Sequence, residues 1–158
     1  MQFICVLEDN PSVEYIKHLG ENWYYNLHIS SRWEPFLNVK DTLESINEIV
    51  YADFMSDASD GRGIYVFGNG ILCENLTGRT LLLPDELADA FQTFLSSSNY
   101  VFDGIWVSEH RIAYEFGLGK YQYVHTFNGK PPSYYTGGDR DERFSKQRLI
   151  DNWFYTSW

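Results

Sequence analysis

The sequence predicts an α+β domain in which a mostly antiparallel sheet carries three to four packed helices, with residues 1–158 forming a single domain. Three observations predict it. Short runs rich in Tyr, Phe, Trp, Val and Ile recur between turn residues, which is strand composition. Other segments space their apolar residues three and four apart, which is helical. The two kinds of segment group together instead of alternating strictly, which argues against a parallel sheet with crossover helices.

In chain order, residues 2–8 read as a short buried strand. Asn10 is placed to cap a helix with Pro11 at its first position, Val13 and Ile16 inward and Gly20 at its end. Residues 23–30, Trp-Tyr-Tyr-Asn-Leu-His-Ile-Ser, have strand composition, and residues 33–39 read as an irregular connection. A helix is then expected from Asp41, with Glu44 three residues on as an Asp version of the capping box. Leu43, Ile46, Ile49, Val50 and Phe54 form its apolar face. At 3.6 residues per turn, Asp41, Glu44 and Glu48 fall together on the opposite face, where they are expected to be solvent-exposed. Asp53 lies to the side, and Asp57 and Asp60 belong to the loop that follows.

Ile64–Phe67 and Ile71–Glu74 flank Gly68-Asn69-Gly70, a hairpin signal, and Thr80 to Leu83 reads as a further strand. Pro84 starts a helix with Leu87, Phe91, Phe94 and Leu95 inward, closed by the serines at 96–98. Strands follow at Val101–Val107, Arg111–Phe116 and Lys120–Phe127, separated by Ser108–His110 and Gly117-Leu118-Gly119. The adjacent prolines and paired glycines of residues 128–138 exclude regular structure. A last helix is expected from Asp139 and Glu142, carrying Phe144, Ile150 and Trp153.

Charge narrows the function. The formal net charge is −10, and residues 1–115 carry 18 acids against 6 bases, while residues 116–158 carry 4 against 6. A negative field of this size disfavours nucleic acid and anionic membrane as partners, and favours a basic protein or simple solubility. The 12 Tyr, 11 Phe and 5 Trp supply either a β-rich core or binding anchors. Cys5 and Cys73 sit among apolar neighbours and read as buried free thiols, with a disulfide possible but not required. The N-terminus lacks the basic region of a signal peptide and no apolar run reaches membrane-spanning length, so a cytoplasmic protein is expected.

The chemistry-bearing motifs are incomplete. None of His18, His28, His110 and His125 pairs with another at metal-ligand spacing, so no metal is expected. His28-Ile29-Ser30 matches one half of the two-histidine phosphoesterase signature, whose general base and general acid require a second copy that is missing. Asp53, Asp57 and Asp60 lack the spacing and closing glutamate of a calcium loop. No phosphate loop and no nucleophile elbow occurs. Glu109 and Glu115 are candidates for a glycosidase-like carboxylate pair, with partners that linear sequence does not reveal. No catalytic residue and no cofactor is assigned.

Two surfaces remain as candidates for partner binding. One is the acidic helix and loop, with Asp41, Glu44, Glu48, Asp53, Asp57 and Asp60; the other is Tyr134-Tyr135 in the Pro- and Gly-rich loop beside Lys130 and Arg140. Carboxylates steer a basic ligand at long range, but isolated surface charges hold it weakly, so aromatic anchors are required. A small, acidic, aromatic-rich chain of this character resembles the bacterial immunity proteins that neutralise toxin nucleases. The resemblance implies a non-catalytic inhibitor that neutralises a basic toxin domain by direct binding, at its active site or at an exosite. Two other classes are a small hydrolase or phosphoesterase using His28 or His125, and a phage-type anti-defence inhibitor that mimics nucleic acid. Mimicry calls for carboxylates spaced like phosphates over several elements, which clustering in one helix and loop fits poorly.

Overall fold

Gly68-Asn69-Gly70 reverses the chain between two strands, with the Phe67 amide donating to Ile71 O and the Gly70 amide to Phe67 O, both at 2.9 Å. The structure is a computed structural model. It describes residues 3–5, 17–20, 23–25, 27–54, 61–132 and 145–157, with side chains described from residue 36 onward within those ranges. The chain divides into two compact units, Met1–Asp41 and Thr42–Trp158.

In the first unit, β1 (Phe3–Cys5), β2 (Lys17–Gly20) and β3 (Trp23–Tyr25) form a three-stranded antiparallel sheet in the order β1-β3-β2. Helix α1 (Leu27–Phe54) begins in this unit and ends in the second. The second unit adds β4 (Arg62–Val66), β5 (Ile71–Glu74), β6 (Thr80–Leu82), α2 (Asp85–Ser97), β7 (Phe102–Val107), β8 (Arg111–Phe116), β9 (Tyr121–Thr126), β10 (Ser145–Arg148) and β11 (Trp153–Ser157). Its strands form one eight-stranded sheet, order β10-β11-β9-β8-β7-β4-β5-β6, in which every pairing is antiparallel.

The molecule is therefore mostly β, and the expectation of three to four helices on a sheet is corrected: two helices occur among the described residues. Residues 17–20, expected to end a helix, are β2, while the proposed cap at Asn10 and Pro11 lies outside the described residues. Residues 145–157, expected to extend a closing helix through Ile150 and Trp153, form the β10–β11 hairpin. Asp139, Glu142 and Phe144 lie outside the described residues. Trp153, Phe154, Tyr155 and Thr156 are all buried, so this strand is covered on both faces and shows none of the alternation that marks a half-exposed one.

Helix α1 starts at Leu27, not at Asp41, so the supposed capping box is mid-helix, and residues 27–30 and 33–39 are helical. The signal lies in the buried positions Phe36, Val39, Leu43, Ile46, Val50 and Phe54, spaced three and four apart well upstream of Asp41. Pro35 is accommodated inside the helix, where its ring nitrogen has no proton for the backbone ladder.

Residues opposite each other in antiparallel register share a face of the sheet. Register puts Ile105, Tyr114, Tyr123 and Tyr155 in one row on the face that carries the helices. Phe91 and Phe94 of α2 are buried there, 5.9 Å from Tyr114 and 5.8 Å from Tyr123 between ring centroids. The opposite face holds Ala113, Val124 and Phe154, each at most 1% exposed. Gln122 on that face donates to Glu115 (2.7 Å) and accepts from the Thr156 hydroxyl (3.3 Å), so its burial is offset by bonds across three strands. Gly104 sits at a β-bulge with φ +148°, and a Cβ there would stand 2.7 Å from Ile64 O. No helix among the described residues is long and apolar enough to cross a membrane.

Candidate binding cavity on the acidic helix

Around α1, successive residues step by about 100°, so Asn47, Tyr51, Glu44, Glu48 and Ala52 occupy one flank, in that order outward from the buried stripe. This flank borders the end of β9, and together they form an open concavity of about 470 Å³ lined by these residues and by His125 and Phe127. That volume is within the range of ligand sites, roughly 300–1,000 Å³.

The inner wall is fixed by hydrogen bonds from the sheet. The Tyr114 hydroxyl is fully buried, 2.7 Å from Asn47 Oδ1 and 3.1 Å from Leu43 O. Burial pushes the Tyr114 phenol well above its ordinary pKa, so it remains a neutral donor and acceptor. The Trp153 indole Nε1–H donates to Glu44 Oε1 at 3.2 Å. The His125 ring packs 5.1 Å from Trp153 and 5.6 Å from Phe127. At the mouth, Tyr51 (47% exposed) and Phe127 (41%) meet edge to face at 5.1 Å.

Asn47 is 8% exposed, and its Nδ2 has no hydrogen-bond partner among the described residues. That nitrogen has almost no accessible surface, so it lies on the packed side of the wall, where an unsatisfied donor costs about 1–3 kcal/mol. Sequence reasoning missed Asn47, although its spacing of four from Leu43 puts a polar amide on the apolar stripe.

The sequence-predicted acids separate here. Asp41 and Glu48 are exposed on α1, whereas Glu44 is half-buried and tied to Trp153, against the expectation that all three lie outside. Asp53 is committed elsewhere: Arg79 Nη1 donates to its carbonyl (2.6 Å) and Nη2 lies 3.2 Å from Oδ1. Asp57, Asp60, Tyr134 and Tyr135 lie outside the described residues. His28 and Ser30 belong to α1, which corrects their expected place on a strand edge. His125 is on β9 and reaches the cavity. Cys73 is a half-buried free thiol.

A second concavity, also about 470 Å³, lies on the opposite face of the sheet over Gly63 and Gly104. Its walls include Tyr65, Trp106, Asp103 and Glu115. This gives Glu115 the carboxylate partner that sequence left open, while Glu109 is exposed and paired with His110 Nε2 at 2.9 Å. Burial, and then the nearby Asp103 charge, raise the Glu115 pKa; Arg111 and the Gln122 hydrogen bond partly oppose them.

No protein-family model matches the chain, and no curated protein and no solved structure matches it.

Proposed function

We propose that this is a non-catalytic acidic binding protein that neutralises a basic, nuclease-like toxin by direct contact, with the α1 flank as its recognition surface. One observation carries the reading: the carboxylates of Glu44 and Glu48 stand beside two exposed aromatic rings, Tyr51 and Phe127, at the mouth of a cavity. Charge supplies long-range attraction and the rings supply contact area, the combination that a steered, tightly held complex needs. The net charge of −10 supports the same partner chemistry. A cytoplasmic setting goes with this reading, since that is where a nuclease would meet its substrate.

The test is co-purification with the product of the adjacent reading frame, followed by association kinetics. The triple variant Asp41→Asn, Glu44→Gln, Glu48→Gln is expected to slow association about tenfold at low salt and to flatten its salt dependence. Gln at position 44 retains an acceptor for Trp153, so the fold is spared. Unchanged association kinetics in the triple variant overturns the reading.

A second reading is favoured by the Glu115–Asp103 pair, with the Glu115 pKa raised by burial and by the Asp103 charge and with Trp106 and Tyr65 beside it. It predicts a glycoside hydrolase activity that Glu115→Gln lowers by at least about a hundredfold. A screen of aryl glycosides showing no turnover, or turnover that Glu115→Gln leaves intact, eliminates it.

A further inference from the structure

We infer that the free edge of β6 is a docking strand, beside which an extended basic segment of a partner protein adds itself to the sheet. The inference uses no residue of the α1 flank and so goes beyond the toxin-binding reading.

The eight-stranded sheet ends on β10 at one side and on β6 at the other. An open strand edge is a template for a foreign strand, and charged side chains along it are the usual guard. β10 carries Lys146 and Arg148. β6, Thr80-Leu81-Leu82, carries no charge, and Leu82 is 63% exposed. Arg79, which precedes β6, is held by the carbonyl and carboxylate of Asp53 on α1 and does not guard the edge.

Hydrogen bonding towards β5 fixes which groups of β6 are free. The Glu74 amide donates to Arg79 O (2.9 Å) and the Leu83 amide to Gly70 O (3.0 Å). Antiparallel residue pairs alternate between bonded and unbonded. Cys73 lies opposite Thr80, Leu72 opposite Leu81 and Ile71 opposite Leu82, so the β5 side takes the backbone groups of Leu81. The N–H and C=O of Thr80 and of Leu82 point outward instead, at the spacing that an incoming strand pairs with.

Charge selects the occupant. Asp85, Glu86 and Asp89 stand exposed on the first turns of α2, just past Leu82, and form no ion pair among the described residues. A second copy paired through β6 would bring these acids towards their own counterparts, on a chain of net charge −10. A guest strand carrying lysine or arginine is attracted to them, while its backbone supplies the hold that surface charges alone do not.

The test is an NMR titration of the full-length protein with an end-blocked hexapeptide of alternating lysine and valine. Comparisons are the same peptide methylated at every backbone nitrogen and its glutamate-valine counterpart. Saturable shifts of the Thr80 and Leu82 amides are expected with the lysine peptide alone. Leu82→Pro removes an outward N–H without cutting the β5–β6 ladder and should weaken the peptide at least about tenfold. Leu82→Lys keeps the backbone at an exposed position, gives the edge the kind of charge that β10 has, and should weaken the peptide about threefold or more. No saturable shift, equal shifts with either comparison peptide, or unaltered binding in Leu82→Lys overturns the inference. Edge shifts that grow with protein concentration alone also overturn it, since they put a second copy on β6. The toxin-binding reading falls separately, on unchanged association kinetics of the triple acid variant.

Discussion

Replacing Trp153 with alanine is expected to destabilise the second unit by roughly 3–5 kcal/mol, the cost typical of emptying a large buried aromatic site. Trp153 is 0% exposed and lies against both Tyr114 (6.1 Å) and His125 (5.1 Å), on two neighbouring strands of the helix-bearing face. For a chain of this size that loss lowers Tm by about 6–20 °C, which calorimetry will read directly. The same change removes the indole donor from Glu44, so the acidic flank loosens with the core. Trp153→Phe separates the two effects. It keeps most of the packing, forfeits one charge-assisted hydrogen bond at roughly 1.5–3 kcal/mol, and should alter the cavity more than the sheet. A Trp153→Ala protein that melts within about 2 °C of the parent would show that packing around β11 is not what holds this edge of the sheet.

Glu74→Ala is the second large effect, about 2–4 kcal/mol, because it removes a buried carboxylate with its hydrogen bonds and leaves the half-buried Arg62 without it. Glu74 is 1% exposed at the end of β5. Its carboxylate accepts from the amides of Leu76 (3.0 Å) and Thr77 (3.1 Å) and from the Thr77 hydroxyl, and Arg62 Nη1 lies 3.3 Å away. Burial by itself would raise its pKa; the Thr77 hydroxyl, the two amides and the Arg62 charge outweigh it and hold the carboxyl below its ordinary value. The sign of the pH dependence follows. A folded-state pKa below the unfolded one contributes stability that is present above about pH 4.3, the unfolded glutamate value, and is lost as the pH falls through the folded value. Chemical denaturation at pH 7 and pH 3 should show the gap between parent and Glu74→Gln narrowing in acid. A gap that holds constant would mean that the carboxylate is not ionised in the folded protein.

Both residues are read as ordinary from sequence. Glu74 closes an apolar run and looks like the polar end of a strand, and Trp153 falls at a position that fits a closing helix. Only the tertiary structure supplies Arg62 from the neighbouring strand for one and the α1 carboxylate for the other. The hairpin at 68–70, the helix opening after Pro84 and the three strands between 102 and 126 were legible because their determinants are local: a Gly-Asn-Gly turn, a proline at a helix start, and glycines at Gly117 and Gly119 with positive φ. α1 was half-legible. Its apolar stripe begins at Phe36, but Pro35 and the aromatic, β-branched residues before it carry the local marks of an interrupted or extended chain.

The site divides in the same way. By itself the sequence determined the acidity of the chain, the spacing that puts Glu44 and Glu48 one turn apart, and the polar Asn47 on an apolar stripe, since each follows from composition or from helical period. The tertiary structure decided that Glu44 is tethered by Trp153, that Asp53 is occupied by Arg79, and that His125 of β9 and Phe127 just beyond it complete the cavity. Periodicity within one element specifies which side of it is apolar. Which residues stand opposite that side is set by strand register over more than seventy residues of chain, from Glu44 to His125 and Trp153, and no local pattern encodes it.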